Sequence, residues 1–338
     1  MAASQGSTTN AKPRVAVMGA GAVGSYFGGM LARAGVPVVL IGRPAHVEAI
    51  RRDKLFMDTL TFQERVAVEA SSDPAAVAGA DVVLLGVKVQ DNETSSRAIA
   101  PHLAPGAIVV SLQNGVENVE TIRAASGIDA LPAVVYIAAE LPEPGHVKHL
   151  GRGELAVGEL TSGARSSSSS SSHSSRTEKI AALFASAGVP CRISKCIEAD
   201  IWAKFIMNCA GNAVTAIAQC SYAEAVRSPA SRELMRRLIE ETVAVGRATG
   251  IRLPDVEKFM EEGIKSLGSF GNATSSTAHD VARGKKTEIE SLNGYVVRRG
   301  DELGVATPCS FSVYAMVKLL EESGARSEQQ AKQASSSH

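Results

Sequence analysis

The sequence predicts an α/β protein, with an N-terminal parallel-sheet domain followed by an all-helical C-terminal domain. Three observations predict it. Short continuous apolar runs alternate with helical stretches up to about residue 195. The first of these runs passes at once into a glycine-rich turn. Beyond 195 the β-branched runs stop and long helical patterns take over.

The elements follow in chain order. Residues 1–13 are small and polar and read as a disordered N-terminus, not a secretory signal, since they contain no apolar run. "RVAVM" (14–18) is the first strand, and 22–34 the helix after it. "PVVLIG" (37–42), "DVVLLGV" (81–87) and "AIVVSL" (107–112) are further strands, with a helical stretch at 115–125. Unbroken apolar runs of this length suit strands covered on both faces, and strand–helix alternation makes the sheet parallel. The serine-rich segment 165–176 reads as a flexible surface loop. Helices are expected at 198–219, 228–249, 254–267, 286–303 and 309–323. Gly250 and Gly304 stand where helices stop, and Pro254 and Pro308 open the next ones. The domains are therefore 14–195 and 196–324, with a disordered tail at 325–338.

Composition narrows the function. Lys plus Arg and Asp plus Glu both number 35, and that balance argues against a nucleic-acid or membrane-surface binder. No stretch approaches the ~18 apolar residues of a membrane span, so a cytoplasmic protein is expected. The five cysteines form no C-x-x-C pair and suggest neither a zinc site nor a disulfide framework.

"GAGAVG" (19–24) fits G-x-G-x-x-G between a strand and a helix, the context of a Rossmann-type dinucleotide site. Gly19 permits the tight turn, Gly21 lets backbone approach a pyrophosphate, and Gly24 lets helix and strand pack closely. With Ala22 and Val23, these residues face the phosphates from the helix N-terminus. The second strand ends at Arg43 instead of the acidic residue typical of NAD sites, which favours a 2′-phosphate and so NADPH. Lys88, after "DVVLLGV", reaches the same edge and adds positive charge.

In "KFIMNCAGN" (204–212), Lys204, Asn208 and Asn212 are spaced i, i+4, i+8, along one face of a helix whose other residues look like core. Taken alone, Lys204 reads as a surface lysine and each asparagine as a packing amide.

"GAGAVGSYFGGMLARAG", "VVLLGVKVQD", "SLQNGVEN", "WAKFIMNCAGNAVTAI" and "TEIESLNGYVVRRGDELGVATP" together resemble ketopantoate reductase (2-dehydropantoate 2-reductase), over residues 14–322. The resemblance implies NADPH-dependent reduction of 2-dehydropantoate to pantoate, a step toward coenzyme A. It also implies roles for single residues. Lys204 matches the family's catalytic lysine, and Asn208 and Asn212 match its two helix amides. Asn114 in "LQNG" matches an asparagine close to nicotinamide and carbonyl. Glu288 in "KKTEIE" matches an active-site glutamate that also lies by the cofactor, and Ser276 a serine that helps hold the substrate carboxylate. Two positions depart from the pattern: Tyr222 and Ala273 stand where some members carry asparagine, with Asn272 one position early. Both belong to substrate binding.

The implied chemistry is coherent. A carbonyl gaining charge as hydride arrives needs a cation or acid beside it, and Lys204 supplies a proton, best if burial lowers its pKa toward neutrality. Glu288 could hold the new hydroxyl or keep Lys204 protonated. Asp280 has a plain structural reading, and His173 and His279 have no partner pattern that suggests catalysis. Three readings remain open: a 2-dehydropantoate reductase, a reductase of another 2-keto acid, and a non-catalytic NADPH-binding protein. The partner is a small-molecule acid, and the chain is a monomer or homodimer.

Overall fold

The computed structural model describes residues 12–160, 174–269 and 271–336, with residues 269 and 325–336 by backbone alone. The chain divides into two compact units, Met1–Ile197 and Glu198–His338.

The first unit is built on ten strands: β1 (Val15–Met18), β2 (Val38–Ile41), β3 (Leu55–Asp58), β4 (Gln63–Val66), β5 (Glu69–Ser71), β6 (Val82–Leu85), β7 (Ile108–Ser111), β8 (Leu131–Glu140), β9 (His146–Val157) and β10 (Cys191–Ile193). Its helices are α1 (Ala22–Arg33), α2 (Pro44–Asp53), α3 (Asn92–Ile99), α4 (Asn118–Ser126) and α5 (Ser175–Ser186). Strands β5-β2-β1-β6-β7-β8 lie side by side and all parallel, as the apolar runs predict. This is the dinucleotide-binding order, with the direction of winding reversing between β1 and β6. The runs VVLI of β2 and VVLL of β6 are buried at every residue, because helices cover both faces.

Beyond β8 the sheet becomes mixed. β9 is antiparallel to β8, β3 and β10 run parallel to β9, and β4 is antiparallel to β3. The sequence reading missed β3–β5 and β8–β10. β4 is exposed at Gln63, Glu64 and Arg65, and β9 alternates buried with half-exposed residues, so neither forms a continuous apolar run.

Helix α1 lies directly on the sheet. A Cβ on Gly28 would stand 2.5 Å from Leu40 Cδ2, and one on Gly29 2.6 Å from Met57 Sδ. That approach buries Phe27 and Leu31 completely, each worth roughly 1.5–3 kcal/mol relative to exposure.

The expected serine-rich loop falls outside the described residues up to 173. Its last three positions are not loop but the capped start of α5. The Ser174 hydroxyl accepts from Thr177 N–H, and Arg176 is held by Glu159 and by Asp129. Of the expected N-terminal tail only Lys12 and Pro13 are described, and Lys12 Nζ donates to Ala34 C=O at 2.6 Å.

The second unit contains α6 (Ile197–Ala218), α7 (Tyr222–Arg227), α8 (Pro229–Ala248), α9 (Val256–Ser269), α10 (Ser276–Ala282), α11 (Asn293–Leu303) and α12 (Pro308–Ser336). Trp202, Phe205, Ile206, Cys209, Ala210 and Ala213 of α6 are buried. Trp202, Phe205 and Tyr295 form an edge-to-face cluster with centroids 5.4–6.1 Å apart. Glycines let neighbouring helices close on α6: a Cβ on Gly246 would lie 2.8 Å from Trp202 Cζ3, and one on Gly263 2.4 Å from Met207 Cε. Glu241 of α8 accepts from the N–H groups of Cys309 and Ser310, supplying acceptors that the first turn of α12 lacks.

Three expectations change here. The helix expected from 286 begins only at Asn293, because the Thr287 hydroxyl accepts from Ile289 N–H and turns residues 289–291 into a 3-10 turn. The short helices α7 and α10 stand where none was expected. The tail expected to be disordered from 325 continues α12 to Ser336; its Ala, Glu, Gln, Lys and Arg residues are good helix formers, and no Gly or Pro interrupts them.

Candidate active site

The strand order places four loops along one edge of the first unit: Gly19–Gly24 after β1, Arg43 after β2, Lys88 after β6 and Asn114 after β7. The three motif glycines are held for different reasons. Gly19 has φ +103°, and a Cβ there would sit 2.5 Å from Val87 N, in the turn after β6. A Cβ on Gly24 would fall 2.2 Å from Gly19 O. Gly21 is exposed, and a Cβ on it would meet nothing within 4 Å. Its space lies open above the first turn of α1, which begins at Ala22 and Val23. Gly21 is the N-cap and provides no side-chain hydrogen bond, so the first-turn N–H groups keep their affinity for an anion. Arg43 is the exposed N-cap of α2, and Lys88 is half-buried before the turn Val89–Asp91.

A chain of buried amides shapes the Asn114 loop. Ser111 Oγ donates to Gln113 Oε1, Gln113 Nε2 to Asn92 Oδ1, and Asn92 Nδ2 to Asn118 Oδ1, at 2.5, 2.5 and 2.8 Å. Asn118 Nδ2 then donates to the Asn114 carbonyl at 2.8 Å. Asn92 is 0% exposed and Asn118 5%. The sequence reading named neither. The available signal was an asparagine at the start of each of two helices, each after an acidic residue, where a cap is the ordinary role.

Below the same edge, His46 of α2 is buried. Its Nδ1 accepts from Gly145 N–H at 2.9 Å, so its other nitrogen carries the proton toward Ser25 Oγ at 3.1 Å. Burial pulls the imidazole below its ordinary pKa.

In the second unit, Lys204, Asn208 and Asn212 lie on the single uninterrupted helix α6 and so on one face of it. Lys204 and Asn208 are half-buried, and Asn212 is buried. The Tyr222 hydroxyl donates to Asn212 Oδ1 at 2.9 Å. Burial raises the Tyr222 pKa, against a smaller lowering by a hydrogen bond from Ser275. Tyr222 N–H donates to the Ala273 carbonyl at 3.0 Å, so the two positions that depart from the family pattern touch through their backbones.

Ser276 is exposed at the first residue of α10. Its neighbour Ser275 is the buried N-cap: the Ser275 hydroxyl accepts from Ala278 N–H and bonds Thr215 Oγ1 and the Asn212 carbonyl. Ser275 thus ties the loop before α10 to α6 and leaves Ser276 facing outward. Sequence reasoning missed Ser275, although a serine three residues before Ala278 is a capping signal.

Glu288 is half-buried at the entry to the 3-10 turn, not inside a helix. Two bonds steady it. Thr287 N–H and Oγ1 both donate to Glu321 of α12, at 2.7 and 2.6 Å. Asn293 Nδ2 donates to the Cys209 carbonyl at 3.1 Å, fixing the start of α11 to α6 beside Asn208. His279 Nε2 lies 3.0 Å from Thr274 Oγ1, and His173 lies outside the described residues. Among the described residues no group of His, Cys, Asp or Glu is arranged to hold a metal ion, and no helix is long and apolar enough to cross a membrane.

Comparison with known proteins gives a consistent picture. A family model described as "Ketopantoate reductase PanE/ApbA" matches residues 15–162, and one described as "Ketopantoate reductase PanE/ApbA C terminal" matches 196–321. A 2-dehydropantoate 2-reductase of Halobacterium salinarum is 31% identical over 92% of this chain and 100% of its own length. That of Archaeoglobus fulgidus is 32% identical over 91% and 98%. A PanE/ApbA family ketopantoate reductase from Ralstonia eutropha superposes with a TM-score of 0.82 at 46% identity, over 92% of this chain and 99% of that one. D-mandelate dehydrogenase, solved with NADH and anilino(oxo)acetate, shares the fold with a TM-score of 0.83 at 24% identity, over 92% and 99%.

Proposed function

We propose that this chain, which belongs to the ketopantoate reductase family, catalyses the NADPH-dependent reduction of 2-dehydropantoate to pantoate. The observation that carries the proposal is the stripe of Lys204, Asn208 and Asn212 on a helix whose buried side chains are otherwise mostly apolar. An ammonium and two amides along one helix face are groups suited to the carbonyl and carboxylate oxygens of a 2-keto acid.

The first unit fits the cofactor. A Cβ would obstruct the turn at Gly19 and Gly24, while Gly21 leaves room for a pyrophosphate. Arg43, exposed after β2, is the residue to meet a 2′-phosphate, with Lys88 adding charge. Bound NADPH supplies the hydride.

The chain's own groups do the rest. Lys204 Nζ donates a hydrogen bond to the substrate carbonyl oxygen and gives up its proton as negative charge builds there. Asn208 and Asn212 orient substrate oxygens without adding charge, and Asn114 belongs with the cofactor edge of the first unit. The exposed Ser276 hydroxyl donates to the carboxylate. Glu288, steadied through Thr287 and Glu321, accepts from the new hydroxyl.

A second reading keeps the mechanism and changes the acid, and the Tyr222–Ala273 pairing favours it, since both positions are assigned to substrate binding. One assay tests both: NADPH oxidation, followed by absorbance, across a panel of 2-keto acids. Highest kcat/KM with 2-dehydropantoate supports the first reading. Preference for another 2-keto acid supports the second, and no oxidation with any of them defeats both.

A further inference from the structure

Tyr222 is held on three sides. The Ser221 hydroxyl and Glu224 form a capping box that fixes it as the first residue of α7. Its N–H is bonded to the Ala273 carbonyl. Its ring lies against Gly211, where a Cβ would stand 3.1 Å from Tyr222 Cε1. The missing side chain at 211 makes room for the ring beside Asn212. Held this way, the hydroxyl reaches Asn212 Oδ1 at 2.9 Å.

Both acceptors of Asn212 are then engaged. Oδ1 takes the Tyr222 proton, and the main-chain carbonyl is bonded by the hydroxyls of Thr215 and Ser275. With Oδ1 turned to the Tyr222 hydroxyl, Nδ2 is the end of the amide turned away from it. An asparagine amide alone can turn either end toward a ligand, because its two ends have nearly the same shape.

We propose that Tyr222 is a positioning residue that locks the Asn212 amide, so that Asn212 turns its Nδ2 donors, not its Oδ1, to a substrate oxygen. The proposal rests on the reading of α6 as the acid-binding helix.

Tyr222→Phe keeps the ring and removes the hydroxyl. We expect KM for the 2-keto acid to rise about threefold to tenfold, the effect of one oriented hydrogen bond. We expect kcat to stay within about twofold, because the reacting groups are untouched, and NADPH affinity to be unchanged. A packing role alone would act independently of Asn212, so the double variant is decisive. Tyr222→Phe with Asn212→Ala should have the KM of Asn212→Ala alone. An unchanged KM in Tyr222→Phe, or additive losses in the double variant, would overturn the proposal while leaving the reductase reading intact. A wild-type protein that oxidises NADPH with no 2-keto acid would defeat that reading, and this proposal with it.

Discussion

The cofactor site proposed at the edge of the first unit is made of main-chain atoms and empty space. Gly21 offers room, and the first turn of α1 offers N–H groups. On α6 of the second unit the chain offers side chains instead, and each depends on others for its place. Asn212 is held by Tyr222, and its carbonyl by Ser275; Glu288 follows Thr287, which is held by Glu321. A site made of backbone is fixed by where side chains are absent. A site made of side chains is fixed by a second layer of hydrogen bonds. The first should be sensitive to added atoms, and the second to atoms removed.

The sharpest way to break this contrast is at Lys204. Lys204→Ala removes the proposed acid and leaves every residue of the nucleotide unit as it is. We expect kcat to fall at least ~10²-fold, the low end for general acid catalysis, with NADPH affinity within a few-fold of wild type. Lys204→Arg should not restore activity, since a guanidinium holds its proton too tightly. Single-turnover kinetics and a nucleotide titration check both. Near-normal turnover in Lys204→Ala would make this an ordinary helix lysine.

Arg43, with Lys88, is proposed to act in the first unit through its side chain where backbone otherwise does. A charge-assisted hydrogen bond is worth ~1.5–3 kcal/mol. Arg43→Ala should therefore weaken NADPH by roughly tenfold to a hundredfold and leave NADH almost unchanged. Equal losses for both nucleotides would show that Arg43 meets no 2′-phosphate.

The two regions were not equally legible. "GAGAVG" announces its chemistry because glycine spacing maps directly onto backbone conformation, and the structure has Gly19 at φ +103° and Gly24 against Gly19 O. The parallel strands were legible because they are short unbroken apolar runs. The α6 stripe was legible as a pattern, but its chemistry came only from family resemblance, since i, i+4, i+8 polar residues also describe a solvated face. The supporting layer was not legible at all. Asn92 with Asn118, Ser275 with Thr215, and Thr287 with Glu321 lie 26, 60 and 34 positions apart. No local rule links residues so distant. Helices α7 and α10 went unseen because six or seven residues are too few to show a period, although Ser221 and Glu224 form an S-x-x-E box.

The motif glycines sharpen the comparison from the other side. Gly24→Ala forces a methyl to within 2.2 Å of the Gly19 carbonyl oxygen, and overpacking of this kind costs about 1–3 kcal/mol. Gly21→Ala meets no atom within 4 Å. We expect Gly24→Ala to lower the midpoint of thermal unfolding, and Gly21→Ala to leave it unchanged while weakening NADPH. If Gly21→Ala bound NADPH normally, the open space above α1 would not be where the pyrophosphate lies.

The smallest effect concerns the support beneath the nucleotide edge, where a side chain does hold backbone in place. His46 accepts from Gly145 N–H and donates to Ser25, one residue past Gly24. The arrangement needs the neutral imidazole, because a proton on Nδ1 would face the Gly145 N–H. Burial depresses the folded-state pKa below the ordinary 6.5. In the unfolded chain the ring takes up a proton as pH drops past 6.5, while the folded chain resists. The stability that His46 contributes is thus fully present above the unfolded pKa and is lost as pH falls through the folded one. Replacing His46 with glutamine removes the titration. Near pH 8 the variant should be less stable by about 1 kcal/mol, the net worth of one such hydrogen bond. The gap should close as the buffer is taken toward pH 5, since carboxylates elsewhere titrate alike in both proteins and cancel. Denaturant unfolding of the pair across that range measures the gap directly, and a gap that stayed constant would mean that the His46 proton plays no part in holding the edge.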